Sequence, residues 1–203
     1  MSTQPFRILA VYGKRFSGKT TIAEYLVQHY GFQEFSFASY LKQACCVMFG
    51  FSSEQVTDPI LKETVDPYWG VTPRAVLQTV GTDLFRDRLP QLLPQLHSIW
   101  VRRLVQDVQQ HHRNHPDQPV VISDLRFPDE YKTMRDLGAY LVKVSRPAPA
   151  FDIHVASGHT SETALDNIFI YTPDRLLMND STKQNLYAQV DRVVEQMFLR
   201  LPY

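Results

Sequence analysis

The apolar positions fall into short continuous blocks separated by stretches of helical spacing. Residues 6–13 (FRILAVYG) are an apolar run closed by glycine, the pattern of a strand buried on both faces. Beyond an interval rich in Gly, Lys and Thr, the residues Ile22, Ala23, Leu26, Val27 and Tyr30 recur at helical spacing, and Gly31 closes that helix. Residues 32–38 alternate like a short strand, and 39–50 predict a helix capped by Ser39. The stretch 51–72 holds Pro59, Pro67 and Gly70 and predicts a long connection with little regular structure. Thr72 and Pro73 then supply an N-cap and a proline at N1 for a helix over 73–86. A further helix carries Leu96, Ile99, Trp100, Leu104 and Val108 on one face, and 111–119 (HHRNHPDQP) reads as a polar turn.

Residues 120–124 (VVISD) form a second buried strand that ends in a carboxylate. Pro128 opens the next helix, Gly138 closes it, and strands follow at 139–147 and 175–180. Ser181 with Gln184 resembles a capping box for a last helix whose core face holds Leu186, Val190, Val193 and Met197. Strands that alternate with helices predict a parallel α/β sheet covered on both sides.

Composition narrows the partners. Lys and Arg number 21, equal to Asp and Glu, so no overall basicity points to a nucleic acid polymer. A small anionic ligand in a local basic pocket is compatible with that balance. Adjacent residues on a helix point about 100° apart, so Cys45 and Cys46 are poorly placed for a bridge or a metal clamp and read as buried, reduced thiols. The sequence starts without a signal-peptide core and has no apolar run near membrane-span length, which predicts a soluble cytoplasmic protein.

The interval after the first strand carries the chemistry. Gly13, four residues, then Gly18-Lys19-Thr20 follow a strand and open a helix, the setting of a phosphate-binding loop. Its glycines let successive N–H groups face phosphate oxygens, and the helix N-terminus adds its positive end. Residues Gly13, Lys14, Arg15, Phe16, Ser17, Gly18, Lys19, Thr20 and Thr21 are therefore the expected ATP site. Lys19 would reach the β- and γ-phosphates, and Thr20 would hold Mg²⁺ together with Asp124, the carboxylate that ends the second strand. A guanine-specifying Asn-Lys-x-Asp is missing, which argues against a GTPase. Arg74, Arg86, Arg88, Arg126 and Arg146 are instead spread over several elements, as expected where two polyanions are brought together.

Longer stretches sharpen this reading. The residues SGKTT, FSFASYLKQ, WGVTPRAVLQTVGTDLFR, SIWVRRL, ISDLRFPDE, SRP, HTSE and NDST run along nearly the whole chain. Together they resemble the deoxynucleoside monophosphate kinases found in many bacteriophages. The resemblance implies one P-loop kinase domain over 1–203, a three-layer α/β fold with a parallel five-stranded sheet. It also implies an acceptor-binding helical region at about 39–110 and a lid at about 146–165. Lys19, Asp124, Arg126 and Arg146 would be catalytic. SDLRFP further resembles a stretch of adenylate kinases whose arginine grips the acceptor phosphate, and Arg126 stands two residues before that arginine. Lys42, Trp69, Arg74, Gln78, Thr82, Arg86 and Trp100 would bind the acceptor. In that set Arg74 and Arg86 meet phosphate and Gln78 reads a base edge. Either Trp69 or Trp100 could stack on the base, and Trp100 could equally be a core aromatic. His159, Ser161 and Glu162 would close over the phosphates or cap a lid helix. The expected partners are ATP and a dNMP, with Mg²⁺ and no membrane; a homodimer is left open. A phosphomevalonate-type kinase and a non-catalytic nucleotide-binding module are the alternatives.

Overall fold

The computed structural model describes residues 7–147, 164–167 and 170–199. The chain divides into two compact units, one of Met1–Ser36 with Asp107–Tyr203 and one of Phe37–Gln106. Its strands are β1 (Ile8–Tyr12), β2 (Gln33–Phe35), β3 (Val120–Leu125), β4 (Tyr140–Ser145) and β5 (Arg175–Met178). The first helices are α1 (Lys19–Tyr30), α2 (Phe37–Phe49), α3 (Ser53–Thr57) and α4 (Pro73–Gln78). They are followed by α5 (Leu89–Leu92), α6 (Ile99–Asn114), α7 (Pro128–Asp136) and α8 (Lys183–Leu199).

In the larger unit the five strands make one parallel sheet in the order β2-β3-β1-β4-β5. The sheet alternates strictly in what it buries. Leu9 and Val11 of β1 and Val142 and Val144 of β4 pack with Ile22, Ala23 and Leu26 of α1 and with Leu186, Val190, Val193 and Met197 of α8. This is the core face expected of the last helix. Because β1 lies between β3 and β4, the chain leaves β1 where the neighbouring connections diverge, the place at which α/β sheets open a crevice. Between Ala10 and Tyr12 the register with β3 slips, so that Ala10 faces Ile122 but Tyr12 faces Leu125. The irregularity falls on the segment that carries Asp124, and such bulges re-aim side chains next to functional sites.

The smaller unit has its own core of Cys45, Phe51, Val56, Val76 and Val80. Both cysteines are free thiols, and burial pushes the Cys45 thiol up to about 11. Here the structure corrects several expectations. α2 starts at Phe37, a buried anchor, so Ser39 lies inside the helix and does not cap it. The stretch 51–72 is a series of turns fixed by side chains. Ser52 and Gln55 form a reciprocal capping box for α3. Asp58 Oδ1 accepts from the N–H groups of Ile60 and Leu61, and Asp66 Oδ1 from those of Tyr68 and Trp69. Thr72 caps α4 as expected by accepting from Ala75 N, but α4 gives way after Gln78 to ten residues of i→i+5 helix, Thr79–Arg88. Long π-helical runs are rare.

Elsewhere α6 continues through His111, His112 and Arg113, so only the end of 111–119 is a turn. Leu96 lies ahead of α6 in a 3₁₀ turn, and the buried stripe of α6 is Val101, Leu104 and Val108. The cap of α8 is Thr182, whose Oγ1 accepts from Asn185 N, one residue beyond the Ser181 expected.

Candidate functional site

The loop after β1 is shaped by two glycines that other residues could not replace. Gly13 has φ +148°, and a Cβ there would fall 2.3 Å from the carbonyl oxygen of Val144. Gly18 has φ +110°, and its Cβ would fall 2.6 Å from Asn179 Nδ2. Asn179 stands just after β5 and braces the loop, its Nδ2 donating to Ser17 O at 2.9 Å and its backbone N to Ser145 O at 2.8 Å. Phe16, at φ +61°, takes a left-handed turn without being glycine. Lys19 is 9% exposed and curls back, its Nζ donating to Gly13 O at 2.8 Å and Lys14 O at 2.7 Å. The loop thus wraps an ammonium group at the head of α1. Thr20 is exposed and Thr21 half-buried in the first turn, while buried Ser17 Oγ makes no hydrogen bond among the described residues. Arg15 lays its guanidinium over the Phe16 ring.

Beside the loop is a cavity of about 340 Å³ at the C-terminal ends of β1, β3 and β4. Tyr12, Gly13 and Lys14 line it from β1, Leu125 and Arg126 from β3, residues 143–146 from β4, and Leu165 and Asp166 from beyond. Lys14 pairs with Asp166 at 3.5 Å, and Arg146 Nη1 donates to Phe16 O at 3.4 Å. Ser36 Oγ donates to Asp124 Oδ2 at 2.7 Å, fixing the carboxylate at the β3 bulge. The backbone at Arg126 is held by Glu130. This fully buried carboxylate accepts from the backbone N–H groups of Arg126 at 2.8 Å and Phe127 at 3.0 Å. The far wall is tied by Tyr12 OH to Tyr171 O at 2.7 Å and by Arg135, which pairs with Asp174 at 2.8 Å. Burial, more than any neighbouring charge, drives the Tyr12 hydroxyl well above the ordinary tyrosine range, so it remains a donor.

Glu130 gives a direct test. Glu130→Ala strands two part-buried N–H groups and should lower unfolding stability by roughly 2–4 kcal/mol, read as an earlier midpoint in urea.

In the smaller unit, Arg74, Gln78, Thr82 and Arg86 recur at four-residue intervals through α4 and the i→i+5 segment. Arg74 is paired with Glu63, and Gln78 and Thr82 are half-buried. Gly81 is there for packing, since a Cβ would fall 2.5 Å from Leu41 Cδ2. Its carbonyl accepts from Trp100 Nε1 at 3.0 Å, and the Trp100 ring packs on Phe85. Trp69 donates from Nε1 to Phe49 O at 2.8 Å, leaving its ring 43% exposed, and Lys42 is half-buried on α2.

The structure therefore gathers residues 13–21, Asp124, Arg126 and Arg146 within one unit, and Lys42, Trp69, Arg74, Gln78, Thr82, Arg86 and Trp100 within the other. His159, Ser161 and Glu162 lie outside the described residues. Sequence reasoning assigned no part to Lys143 or Asp166, placed Glu130 only within ISDLRFPDE, and expected of NDST (179–182), by resemblance, that it rests the donor adenine against backbone. Glu130 follows Phe127 by the spacing of a capping box, but Phe127 offers no side-chain acceptor, and the Asn179 bond spans the fold, so neither carried a local signal.

Comparison with known proteins agrees with this architecture. A family model described as deoxynucleotide monophosphate kinase matches residues 46–190. A protein of Acanthamoeba polyphaga mimivirus, provisionally named a deoxynucleotide monophosphate kinase, is 40% identical over 198 residues, covering 93% of this chain and 96% of its own. Among solved structures, an unliganded sugar kinase from Janibacter sp. superposes with a TM-score of 0.51 at 14% identity, over 94% of this chain and 95% of that one. A dephospho-CoA kinase from Campylobacter jejuni gives a TM-score of 0.49 at 11% identity, over 94% of this chain and 97% of that one.

Proposed function

Because the chain belongs to the deoxynucleotide monophosphate kinase family, we propose that it transfers the γ-phosphoryl group of ATP to the 5′-phosphate of a deoxynucleoside monophosphate, yielding the diphosphate. The observation that carries this reading is the cavity beside the glycine loop, where Lys14, Arg126 and Arg146 meet at the ends of three strands. The attacking phosphate oxygen is already ionised, so no general base is needed. What the reaction needs is two polyanions held in line and shielded from one another's charge.

Each residue then has a task. The N–H groups of residues 13–20 cradle the donor phosphates. Lys19 exchanges the carbonyl oxygens of Gly13 and Lys14 for phosphate oxygens. Arg126, whose backbone Glu130 holds, and Arg146 stabilise charge on the transferring group. The Thr20 hydroxyl and the Asp124 carboxylate are oxygen donors of the kind Mg²⁺ takes, and Ser36 already orients one of them. When bound, the cation would neutralise charge on the phosphate oxygens. Arg74 releases Glu63 to take the acceptor phosphate, with Lys42, Thr82 and Arg86 in support, and Gln78 reads the base. Trp100 is committed to Gly81 and Phe85, so stacking on the base falls to the exposed ring of Trp69. His159, Ser161 and Glu162 belong to a lid whose closure excludes water and prevents hydrolysis of ATP.

The test is kcat/KM for dTMP, dGMP, dCMP and dAMP at saturating ATP. Arg74→Ala should weaken all four acceptors alike, since every one carries the phosphate. Gln78→Ala should reorder them, by roughly 1–3 kcal/mol for the base whose polar edge loses its partner. Wild-type protein inert with all four would end the proposal.

A further inference from the structure

We propose that Lys143 is an anion-binding residue of the cavity beside the glycine loop, and that its ligand is the phosphate group of the monophosphate acceptor. The identity of that ligand rests on the kinase reading; the need for an anion rests on the surroundings of Lys143 alone.

Lys143 is an unusual residue for its place. β4 is an interior strand between β1 and β5, and Lys143 pairs in register with Tyr12 across it. Its neighbours Val142 and Val144 are buried in the core that α1 covers, so by alternation Lys143 stands on the opposite face. There it is half-buried, with Nζ 5.8 Å from the centre of the Tyr12 ring. Among the described residues its ammonium makes no hydrogen bond and no ion pair. The cavity carboxylate, Asp166, is engaged by Lys14. Arg126 and Arg146 line the same space, and the Tyr12 hydroxyl is spent on Tyr171 O. Burial draws the Lys143 ammonium below the ordinary lysine range; Asp166 opposes that shift and Lys14 adds to it.

A half-buried cation with no hydrogen bond or ion pair among the described residues, set against a ring face and beside other cations, lowers the stability of the ligand-free protein. Such groups cluster where function needs them. A phosphate group supplies what is missing, because its oxygens accept charge-assisted hydrogen bonds from several cations at once. Lys143 shares the cavity with Gly13 and Lys14 of the loop. Under the kinase reading the donor's phosphates are taken by the loop's N–H groups and Lys19, so the acceptor's phosphate is the one left for Lys143.

The experiment compares wild type, Lys143→Met and Lys143→Arg, with inorganic phosphate as the probe in thermal unfolding and both substrates in turnover. Lys143→Met should keep or raise the Tm of the ligand-free protein, since it removes a half-buried charge that makes no hydrogen bond or ion pair among the described residues. Its apparent Kd for phosphate should rise about tenfold or more, with Lys143→Arg close to wild type. In turnover, KM for the monophosphate should rise about ten- to a hundredfold while KM for ATP stays unchanged. The proposal is overturned if phosphate stabilises Lys143→Met as well as wild type, or does not stabilise wild type. It is also overturned if the ligand-free Tm of Lys143→Met falls, or if KM for ATP rises instead. If wild type phosphorylates no nucleotide, the kinase reading fails, and the phosphate titration still decides the role of Lys143.

Discussion

Lys19→Ala is expected to lower kcat by roughly 10²- to 10³-fold, the cost of removing one preorganised group that stabilises charge in the transition state. The fold should survive. In the ligand-free protein the Lys19 ammonium bridges the carbonyl oxygens of Gly13 and Lys14, both within its own loop. Losing two such hydrogen bonds costs about 1–3 kcal/mol, a small fall in Tm that circular dichroism resolves. A folded Lys19→Ala protein with near wild-type turnover would take Lys19 out of the chemistry, and with it the assignment of the loop.

The second large effect is expected at Gly13. Gly13→Ala places a methyl group 2.3 Å from Val144 O, a backbone atom of an interior strand that cannot rotate away. It must also hold φ near +148°, where side chains rarely go. Either β4 shifts or the loop opens, and both destroy the alignment of the N–H groups. Stability should fall by roughly 2–4 kcal/mol, and ATP affinity should fall at least about a hundredfold, as 2.7 kcal/mol or more of lost contacts implies. Gly31→Ala is the internal control. That glycine also has a positive φ, +67°, but nothing lies within 4 Å of its would-be Cβ. It should lose only about 1–2 kcal/mol, with ATP titrations unchanged. Equal behaviour of the two variants would refute the steric account of the loop.

Features fixed by local chemistry were legible in the chain. The apolar run 6–13, the Gly-Lys-Thr opening of α1, Thr72 before Pro73, and Pro128 to Gly138 each carry their own signal within a few residues. The structure follows them closely. Where the outcome depended on tertiary packing, the reading slipped. Ser39 looked like a cap because nothing local shows that Phe37 would be buried first. The segment 51–72 looked irregular because its order comes from Asp58 and Asp66 gathering N–H groups, a pattern that leaves no periodicity. The i→i+5 helix after Gln78 was invisible for a related reason. A run expected to continue as α-helix gives no sign of widening, although its glycine is where Leu41 needs room. In the site, residue types were readable but their alliances were not. Arg126 could be named from its motif, whereas the bond that ties Asn179 to Ser17 spans 162 positions of sequence.

That last bond bears on how the protein comes into being. The glycine loop leaves a ribosome 162 positions ahead of the residue that braces it. Until β5 docks beside β4 and presents Asn179, Ser17 O lacks that donor, and the loop is held by its other contacts, among them Lys19 Nζ to Gly13 O and Lys14 O and Ser17 N to Lys14 O. A growing chain therefore carries the glycine-lysine-threonine sequence through those 162 positions before Asn179 can bond Ser17 O. Under the kinase reading, competence to take up ATP should appear only once that bond has formed.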